Sequence, residues 1–131
     1  MTATPRVRVV AGILRKPDGS VLISDRTRCR SMCDYWEFPG GKLADGESAL
    51  RALARELCEE LGIRVVTAES LVRLEHDYPG LLVDIEFFIV SEWHGVPAGV
   101  EGQQLRWVAR DALDTANLLP ADAPVVDAIS R

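Results

Sequence analysis

The chain has 131 residues and a formal charge of −5, with 47% hydrophobic and 27% charged residues, as expected for one globular domain with its own core. Net negative charge argues against a general affinity for duplex nucleic acid, because such binding needs a basic surface. No apolar run approaches the length of a membrane span, and the N-terminal MTATPRVRVVAG lacks a signal-peptide pattern. We therefore expect one domain over residues 1–131, located in the cytoplasm.

The N-terminal third shows strand and turn patterns. Residues 7–14 are β-branched and apolar, which predicts a buried strand. The turn sequence PDGS and a second strand at 21–24 follow, so the two strands are predicted to form a hairpin. After a polar loop, WEF leads into residues 39–41 (PGG), which are predicted to be irregular backbone.

One helix is predicted over residues 48–61, with Gly62 at the position of a left-handed C-cap. The residues expected on its buried face are Leu50, Leu53, Ala54, Leu57 and Leu61.

The remainder is rich in strands. Two long strands are predicted at 65–78 and 81–93, separated by Pro79-Gly80, with a short strand at 104–108 and a C-terminal helix that includes 125–129. Strands outnumber helices and a helix interrupts them. This order predicts an α/β (α+β) fold, either α+β or an α/β/α sandwich around a mixed β-sheet.

The predicted helix places Glu56, Glu59 and Glu60 within one turn and contains no lysine. A solvated acidic face is the ordinary explanation, but such a face usually intersperses lysines to form favourable spaced pairs. These acids also follow the glycine-rich FPGGK, whose backbone can approach a ligand closely. The pattern therefore indicates carboxylates joined by a cation, and Mg²⁺ fits because it binds carboxylate and phosphate oxygens. The carbonyl of Gly40 is a candidate for one further oxygen ligand.

The cysteines do not form a disulfide framework. Cys29 and Cys33 lie four positions apart with no histidine near them, and Cys58 stands alone. A zinc or redox pair has little support from this spacing. Reduced cytosolic thiols are the better interpretation.

A family resemblance covers the acidic helix and the loop before it. Residues 41–63 resemble a complete Nudix box. Its defined positions are Gly41, Glu47 after five intervening residues, and the run RELCEELGI, which starts at Arg55 after seven more residues. Segments outside the box resemble the MutT-type branch of that family. These are WEFPGGK, the EGQ at 101–103, Trp107 and PADAPVV. The resemblance implies that residues 1–131 form a single Nudix hydrolase domain, folded as an α/β/α sandwich and dependent on Mg²⁺, with Mn²⁺ as an alternative.

The resemblance also implies roles for individual residues. The implied metal ligands are Gly40, Glu56, Glu59, Glu60 and Glu101. Either Glu56 or Glu101 takes the proton from the attacking water, and the sequence leaves both alternatives open. The implied structural members of the motif are Gly41, Glu47, Arg55 and Gly62, with Glu47 and Arg55 paired as ions.

The implied substrate contacts are Arg26, Glu37, Phe38, Pro39, Gly40 and Asp122. Arg26 is expected to contact phosphate or nucleotide, with plain surface charge as the alternative. Phe38 is expected beside the base, with a core aromatic as the alternative.

The implied activity is that of a MutT-type nucleoside triphosphate pyrophosphohydrolase, which sends water to the β-phosphorus and releases nucleoside monophosphate and pyrophosphate. We expect 8-oxo-dGTP as the substrate. The alternatives are a pyrimidine preference (CTP, dCTP or 5-methyl-dCTP) and, in another class, a non-catalytic Nudix-fold nucleotide-binding module. The expected partner is a small-molecule nucleoside triphosphate, with no direct nucleic acid and no membrane, and the protein is expected to be a monomer or small homo-oligomer.

Asp122 is the main reason to consider cytidine nucleotides. Related 8-oxo-dGTP hydrolases usually carry asparagine at this position and tend to carry arginine near Leu81. An ionised aspartate only accepts hydrogen bonds, and cytosine offers an amino donor, whereas a protonated aspartate in a dry pocket donates to 8-oxoguanine. A third interpretation is that Asp122 caps the last helix, with Pro124 in its first turn.

Overall fold

The computed structural model describes residues 4–25 and 34–129. The strands are β1 (Arg6–Leu14), β2 (Val21–Asp25), β3 (Trp36–Glu37), β4 (Gly40–Lys42), β5 (Arg64–Tyr78), β6 (Leu81–His94) and β7 (Leu105–Val108). The helices are α1 (Ala49–Leu61), α2 (Val126–Ile129) and two 3-10 helices at Arg110–Thr115 and Ala123–Val125. Arg26, Cys29 and Cys33 lie outside the described residues, so the predictions made for them stay predictions.

Two sheets form the centre of the fold. The larger sheet has the order β4-β1-β6-β5. It is a mixed sheet, because β1 and β6 are parallel, whereas β1 and β4 are antiparallel and so are β5 and β6. The smaller sheet has the order β3-β2-β7 and is antiparallel. The predicted mixed sheet and the two predicted long strands are confirmed, and the two strands pair as an antiparallel hairpin.

The predicted hairpin of the first two strands is wrong beyond its turn. A single bridge joins Arg15 to Val21, and the chain then passes from the larger sheet into the smaller one. The turn sequence correctly marks a reversal of the chain, but the sheet that each strand joins depends on partners far along the sequence. β1 pairs with β4 and β6, and β2 pairs with β3 and β7.

Residues 39–41 also differ from the prediction. Gly40 and Gly41 belong to β4 and pair with Ala11 and Val10 of β1, and the Gly12 N–H donates to the Pro39 carbonyl at 2.7 Å. Glycine is unfavourable in a strand, so the local sequence argued against one here. The backbone hydrogen bonds with β1 outweigh that preference.

Helical elements cover both sides of the strands. Residues of β1 alternate between two cores: Val10 and Leu14 pack in the cluster that contains α1, and Ala11 and Ile13 in the cluster that contains the 3-10 helices and α2. The three layers agree with the predicted α/β/α sandwich. None of the helices in the described ranges is both long and apolar enough to span a membrane.

Helix α1 lies within the predicted bounds and ends at the predicted C-cap glycine. The Ser48 side chain accepts a hydrogen bond from the Arg51 N–H at 3.2 Å, and Gly62 has a φ of 70° at the C-cap. Leu50 was expected in the core but is 55% exposed, and Ala54 is exposed as well. Leu50 lies in the first turn of the helix and Ala54 at the edge of the apolar stripe, and the buried positions of this helix are Ala52, Leu53, Leu57 and Leu61.

Candidate functional site

The acidic residues gather where α1 crosses β4. Glu56 packs so tightly on Gly41 that a Cβ at position 41 would overlap its carboxylate. The N–H of Gly40 donates to Oε2 of Glu60 at 3.1 Å. Glu56 and Glu60 therefore face β4, whereas the side chain of Glu59 is 58% exposed. Seen along the helix axis, Glu56 and Glu60 lie between the buried positions Ala52 and Leu53, at the side of the apolar stripe.

One guanidinium organises this junction. Arg55 Nε and Nη2 donate to the two carboxylate oxygens of Glu47, each at 2.9 Å. Its Nη1 donates to Oε1 of Glu56 at 2.9 Å and lies 3.4 Å from Oε2 of Glu59. Its Nη2 also donates to the carbonyl of Lys42 at 3.0 Å. Arg55 thus joins the helix to β4 and to the loop that holds Glu47.

Glu47 completes the loop between β4 and α1. Its carboxylate accepts from the Ala44 N–H at 2.9 Å, and its own N–H donates to the Ala44 carbonyl at 3.1 Å. The hydrogen bonds from Arg55 and then from Ala44 lower the pKa of Glu47 to about 2. The geometry is that of an ionised carboxylate that ties the loop to the helix.

Glu60 has the opposite electrostatics. Burial raises its pKa to about 8, with further contributions from the negative charges of Glu56, Glu37 and Glu101, while the Gly40 N–H opposes the rise. Among the residues that the structure describes, the ion pairs at this junction reach Glu47, Glu56 and Glu59 but not Glu60. The junction therefore concentrates negative charge that its own cations do not balance.

This donor set fits a hard divalent cation. Carboxylate oxygens are the ligands that Mg²⁺ prefers, and a cation relieves the repulsion that raises the pKa of Glu60. Across residues 4–25 and 34–129, no three histidine, cysteine, aspartate or glutamate side chains already stand in a compact metal-binding group. The carboxylates of Glu56 and Glu60 accept hydrogen bonds from the guanidinium of Arg55 and the N–H of Gly40, respectively.

A cavity of about 620 Å³ adjoins the acidic junction. Glu37, Gly40 and Gly41 line its acidic side, and the rest of its wall is largely apolar. The apolar wall includes Phe38, Pro79, Leu81, Val83, Ile85 and Leu119. A wall of this kind suits a flat, poorly hydrated group placed next to a charged one.

Asp122 lines this cavity and is 3% exposed. Its Oδ2 accepts from the Phe38 N–H at 3.0 Å, and it makes no side-chain capping bond to the helix that follows. Asp122 thus stands at the N-cap position, as one interpretation predicted, but its side chain bonds to Phe38 and not to the helix that follows. Phe38 is also buried and packs edge-to-face on Phe87, with ring centroids 6.3 Å apart, so it is a core aromatic that reaches the cavity.

Tyr78 is a cavity residue that the sequence analysis did not identify. It lies at the end of β5, lines the cavity, and its hydroxyl accepts from the Ala121 N–H at 3.2 Å. This bond ties the tip of the β5–β6 hairpin to the segment that carries Asp122. The Pro79-Gly80 pattern signalled only a turn, and nothing in the local sequence indicated that the turn borders a cavity.

The predicted site residues are thus partly brought together. Gly40, Gly41, Glu56 and Glu60 meet at the junction, and Glu37, Phe38 and Asp122 meet at the cavity. Glu59 and Glu101 are exposed at the margin, and Pro39 is buried between the two groups. Gly62 ends the helix, as described above.

Comparison with known proteins places this arrangement in context. The family model described as the NUDIX domain matches residues 5–129. An 8-oxo-dGTP diphosphatase of Haemophilus influenzae is 39% identical over 92% of this chain and 88% of its own. A CTP pyrophosphohydrolase of Escherichia coli is 34% identical over 93% of this chain and 90% of its own. A solved MutT structure, from work on the Aliivibrio salmonicida and Vibrio cholerae proteins, superposes with a TM-score of 0.84 at 35% identity, covering 95% of this chain and 97% of that one.

Proposed function

Since the chain belongs to the Nudix family, we propose that it is a MutT-type nucleoside triphosphate pyrophosphohydrolase that converts 8-oxo-dGTP to the monophosphate and pyrophosphate. The similarity to several 8-oxo-dGTP diphosphatases supports this substrate. We further propose that Mg²⁺ is the metal, that residues 1–131 act as one domain in the cytoplasm, and that the partner is a free nucleotide. The chain's charge of −5 is consistent with the absence of a direct nucleic-acid partner.

One observation carries the proposal: an acidic junction with unbalanced charge borders an apolar cavity of about 620 Å³. A nucleoside triphosphate has the matching shape, with a flat base at one end and a polyanionic chain at the other. The base enters the cavity beside Phe38, and the phosphates extend past Gly40 and Gly41 towards Glu56 and Glu60. The glycines at 40 and 41 let β4 lie close to β1 and to the Glu56 carboxylate, which keeps that acid next to the path of the phosphates.

The metal ligands in this proposal are Glu56, Glu59, Glu60, Glu101 and the Gly40 carbonyl. When bound, the metal neutralises the phosphate charge and lowers the pKa of water. The register supports the Gly40 assignment, because the Gly12–Pro39 bond leaves the polar groups of Gly40 outside the β1–β4 ladder.

The chain's own groups handle the proton and hold the site. The water oxygen forms a bond to the β-phosphorus while the bond from that phosphorus to the α–β bridging oxygen breaks, so the monophosphate leaves with the bridging oxygen. Either Glu56 or Glu101 accepts the water proton. Arg55 keeps the Glu56 carboxylate pointed towards the junction through its 2.9 Å bond.

The direct test is a pyrophosphate-release assay on a panel of triphosphates, with Mg²⁺ and with a chelator. We expect turnover only with the metal and the highest kcat/KM for 8-oxo-dGTP. Nucleotide binding without pyrophosphate release under any metal condition would instead identify a non-catalytic binding module.

A cytidine preference is the second candidate, and Asp122 is the observation that favours it. One of its oxygens already accepts from Phe38, and a carboxylate at the cavity wall accepts readily from the amino group of cytosine. The Escherichia coli relative named as a CTP pyrophosphohydrolase is consistent with this choice.

Asp122→Asn tests the base contact. The substitution keeps the acceptor for Phe38 and adds an amide donor, so we expect kcat/KM to shift by about tenfold from cytidine nucleotides towards 8-oxo-dGTP, the size of one good polar contact. Kinetics on both substrates measure the shift. An equal change for all triphosphates, or no change, would show that base selection lies elsewhere.

A further inference from the structure

The loop between β6 and β7 caps the C-terminal end of α1. The Leu61 carbonyl accepts from the Ala98 N–H at 3.0 Å, and the Glu60 carbonyl accepts from the Val100 N–H at 3.2 Å. The last turn of α1 carries no basic residue that could satisfy these carbonyls. The distant loop therefore supplies partners that the helix lacks.

Gln103 adds a second connection through its side-chain amide. Its Nε2 donates to the Glu60 carbonyl at 2.9 Å, and its Oε1 accepts from the Glu101 N–H at 2.9 Å. The amide thus joins the backbone of an acid on the helix to the backbone of an acid on the loop. An amide suits this place because it presents a donor and an acceptor in one planar group without a charge.

We infer that Gln103 is a positioning residue, which fixes the backbone of Glu101 to the end of α1 so that the Glu101 carboxylate is held beside Glu56 and Glu60. This inference rests on the proposed function. Glu101 is exposed on an irregular loop, where a side chain is held less accurately than on a helix. The amide gives that loop a fixed attachment to the same helix that bears the other acids.

Loss of the amide has a specific expected signature. Gln103→Ala should lower kcat about tenfold, the effect of removing one or two hydrogen bonds that align a reacting group. KM for the nucleotide should stay within about twofold, because the residues that line the cavity remain in place. The affinity of the nucleotide-free protein for Mn²⁺ should fall as well, since one ligand is less well held.

Gln104→Ala is the matched control. Gln104 is the next residue and is exposed, and its bonds to Asp25 are made by its backbone N–H and carbonyl. The control should therefore keep wild-type kcat, KM and Mn²⁺ affinity. Gln103→Glu is a second test variant that preserves the shape and the acceptor for Glu101 but replaces the donor to the Glu60 carbonyl, so it should behave like Gln103→Ala even if the alanine protein is unstable.

A double-mutant cycle with Glu101→Gln decides whether Gln103 acts through Glu101. Mn²⁺ titration by calorimetry and steady-state kinetics are measured on wild type, both single variants and the double variant. The expected result is that the double variant is no worse than Glu101→Gln alone, because the attachment has nothing left to position. Additive losses, or wild-type values for Gln103→Ala and Gln103→Glu, would overturn the inference.

A wild-type protein that binds Mn²⁺ but hydrolyses no triphosphate would contradict the proposed function alone. The Mn²⁺-binding cycle would still decide the role of Gln103.

Discussion

Two clusters of acids and arginines in this protein have opposite charge balance. In the first, Asp84 on β6 has a side chain that is 1% exposed and accepts from Arg73 at 2.8 and 2.7 Å and from Arg6 at 2.6 Å. Arg6 also pairs with Glu75 at 2.8 Å, so two arginines face two acids. The hydrogen bonds from Arg73 and Arg6 hold the pKa of Asp84 well below its usual range despite its burial.

The junction of α1 and β4 has one arginine for several acids. Within residues 4–25 and 34–129, the ion pairs that reach this junction all come from Arg55, which contacts Glu47, Glu56 and Glu59. Glu60 remains outside these pairs, with its pKa raised to about 8. A balanced cluster stabilises the fold, whereas an unbalanced one is stabilised by an added cation. The contrast distinguishes a structural cluster from a candidate site without reference to any motif.

The largest expected effect comes from removing the unbalanced charge. Glu60→Gln keeps the side-chain shape and the acceptor for the Gly40 N–H but removes a metal ligand, so kcat should fall about 100-fold or more, roughly 3 kcal/mol of transition-state stabilisation. The fold should survive, because like-charge repulsion decreases. Pyrophosphate release and circular dichroism measure the two outcomes. Glu69→Gln, at an exposed acid of β5, is the control, and near-normal turnover by folded Glu60→Gln would remove Glu60 from the ligand set.

The opposite change breaks the balanced cluster. Asp84→Asn leaves Arg6 and Arg73 facing an uncharged side chain whose amide donor points into their guanidinium groups, so we expect a loss of about 2–3 kcal/mol in the free energy of unfolding. The kcat of the folded protein should be unchanged. Urea denaturation followed by fluorescence gives the first quantity. If activity fell while stability held, the two clusters would not differ in the way proposed.

The pH dependence of stability sharpens the comparison further. Folding raises the pKa of Glu60 from 4.5 to about 8, so the folded protein binds a proton that the unfolded chain releases between these values. Its contribution to stability is therefore greatest below about pH 4.5 and is lost as the pH rises to 8, by several kcal/mol, because each unit of pKa shift corresponds to about 1.4 kcal/mol. Urea denaturation of the metal-free protein at pH 5 and pH 8 should show this loss for wild type and a smaller one for Glu60→Gln. Parallel pH profiles would place the uncompensated charge on another residue.

The smallest effect is expected at the acid that Arg55 does balance. Glu47→Gln keeps the Ala44 contact but weakens the pair with Arg55, so Tm should fall by about 2–4 °C and activity should fall only modestly. Glu56→Gln is the informative comparison, with Tm maintained and activity largely lost. Thermal melts and kinetics on both variants test this division of roles. Equal losses of activity in the two variants, with full stability in Glu47→Gln, would contradict it.

The sequence predicted the elements that depend on local patterns. Helix α1 has an apolar stripe and a glycine C-cap, and β5 and β6 are two strand-like runs separated by Pro79-Gly80. Each of these signals lies within a few residues of the feature it predicts. For the same reason the family motif indicated the acidic residues of the junction.

Features that depend on distant partners were not predictable in this way. Gly40 and Gly41 form a strand only because β1 offers a ladder, and Asp122 contacts Phe38 across 84 positions instead of capping its own helix. The role of Gln103 depends on the backbone carbonyl of Glu60, 43 positions away. A backbone carbonyl has no sequence signature, so no pattern could have identified that contact.

The parallel pairing of β1 with β6 has a consequence for the order of folding. The register joins Arg6 to Leu82 and Leu14 to Val90, so each contact closes a loop of 76 residues. Non-local contacts of this kind slow folding, because chain entropy is lost before the contacts form. During synthesis β1 emerges from the ribosome long before its central partner, and the glycines of β4 lie at the edge of β1. A nascent chain that stops before residue 81 therefore contains all of residues 41–63. It lacks β6, the strand that joins β1 to β5 in the larger sheet.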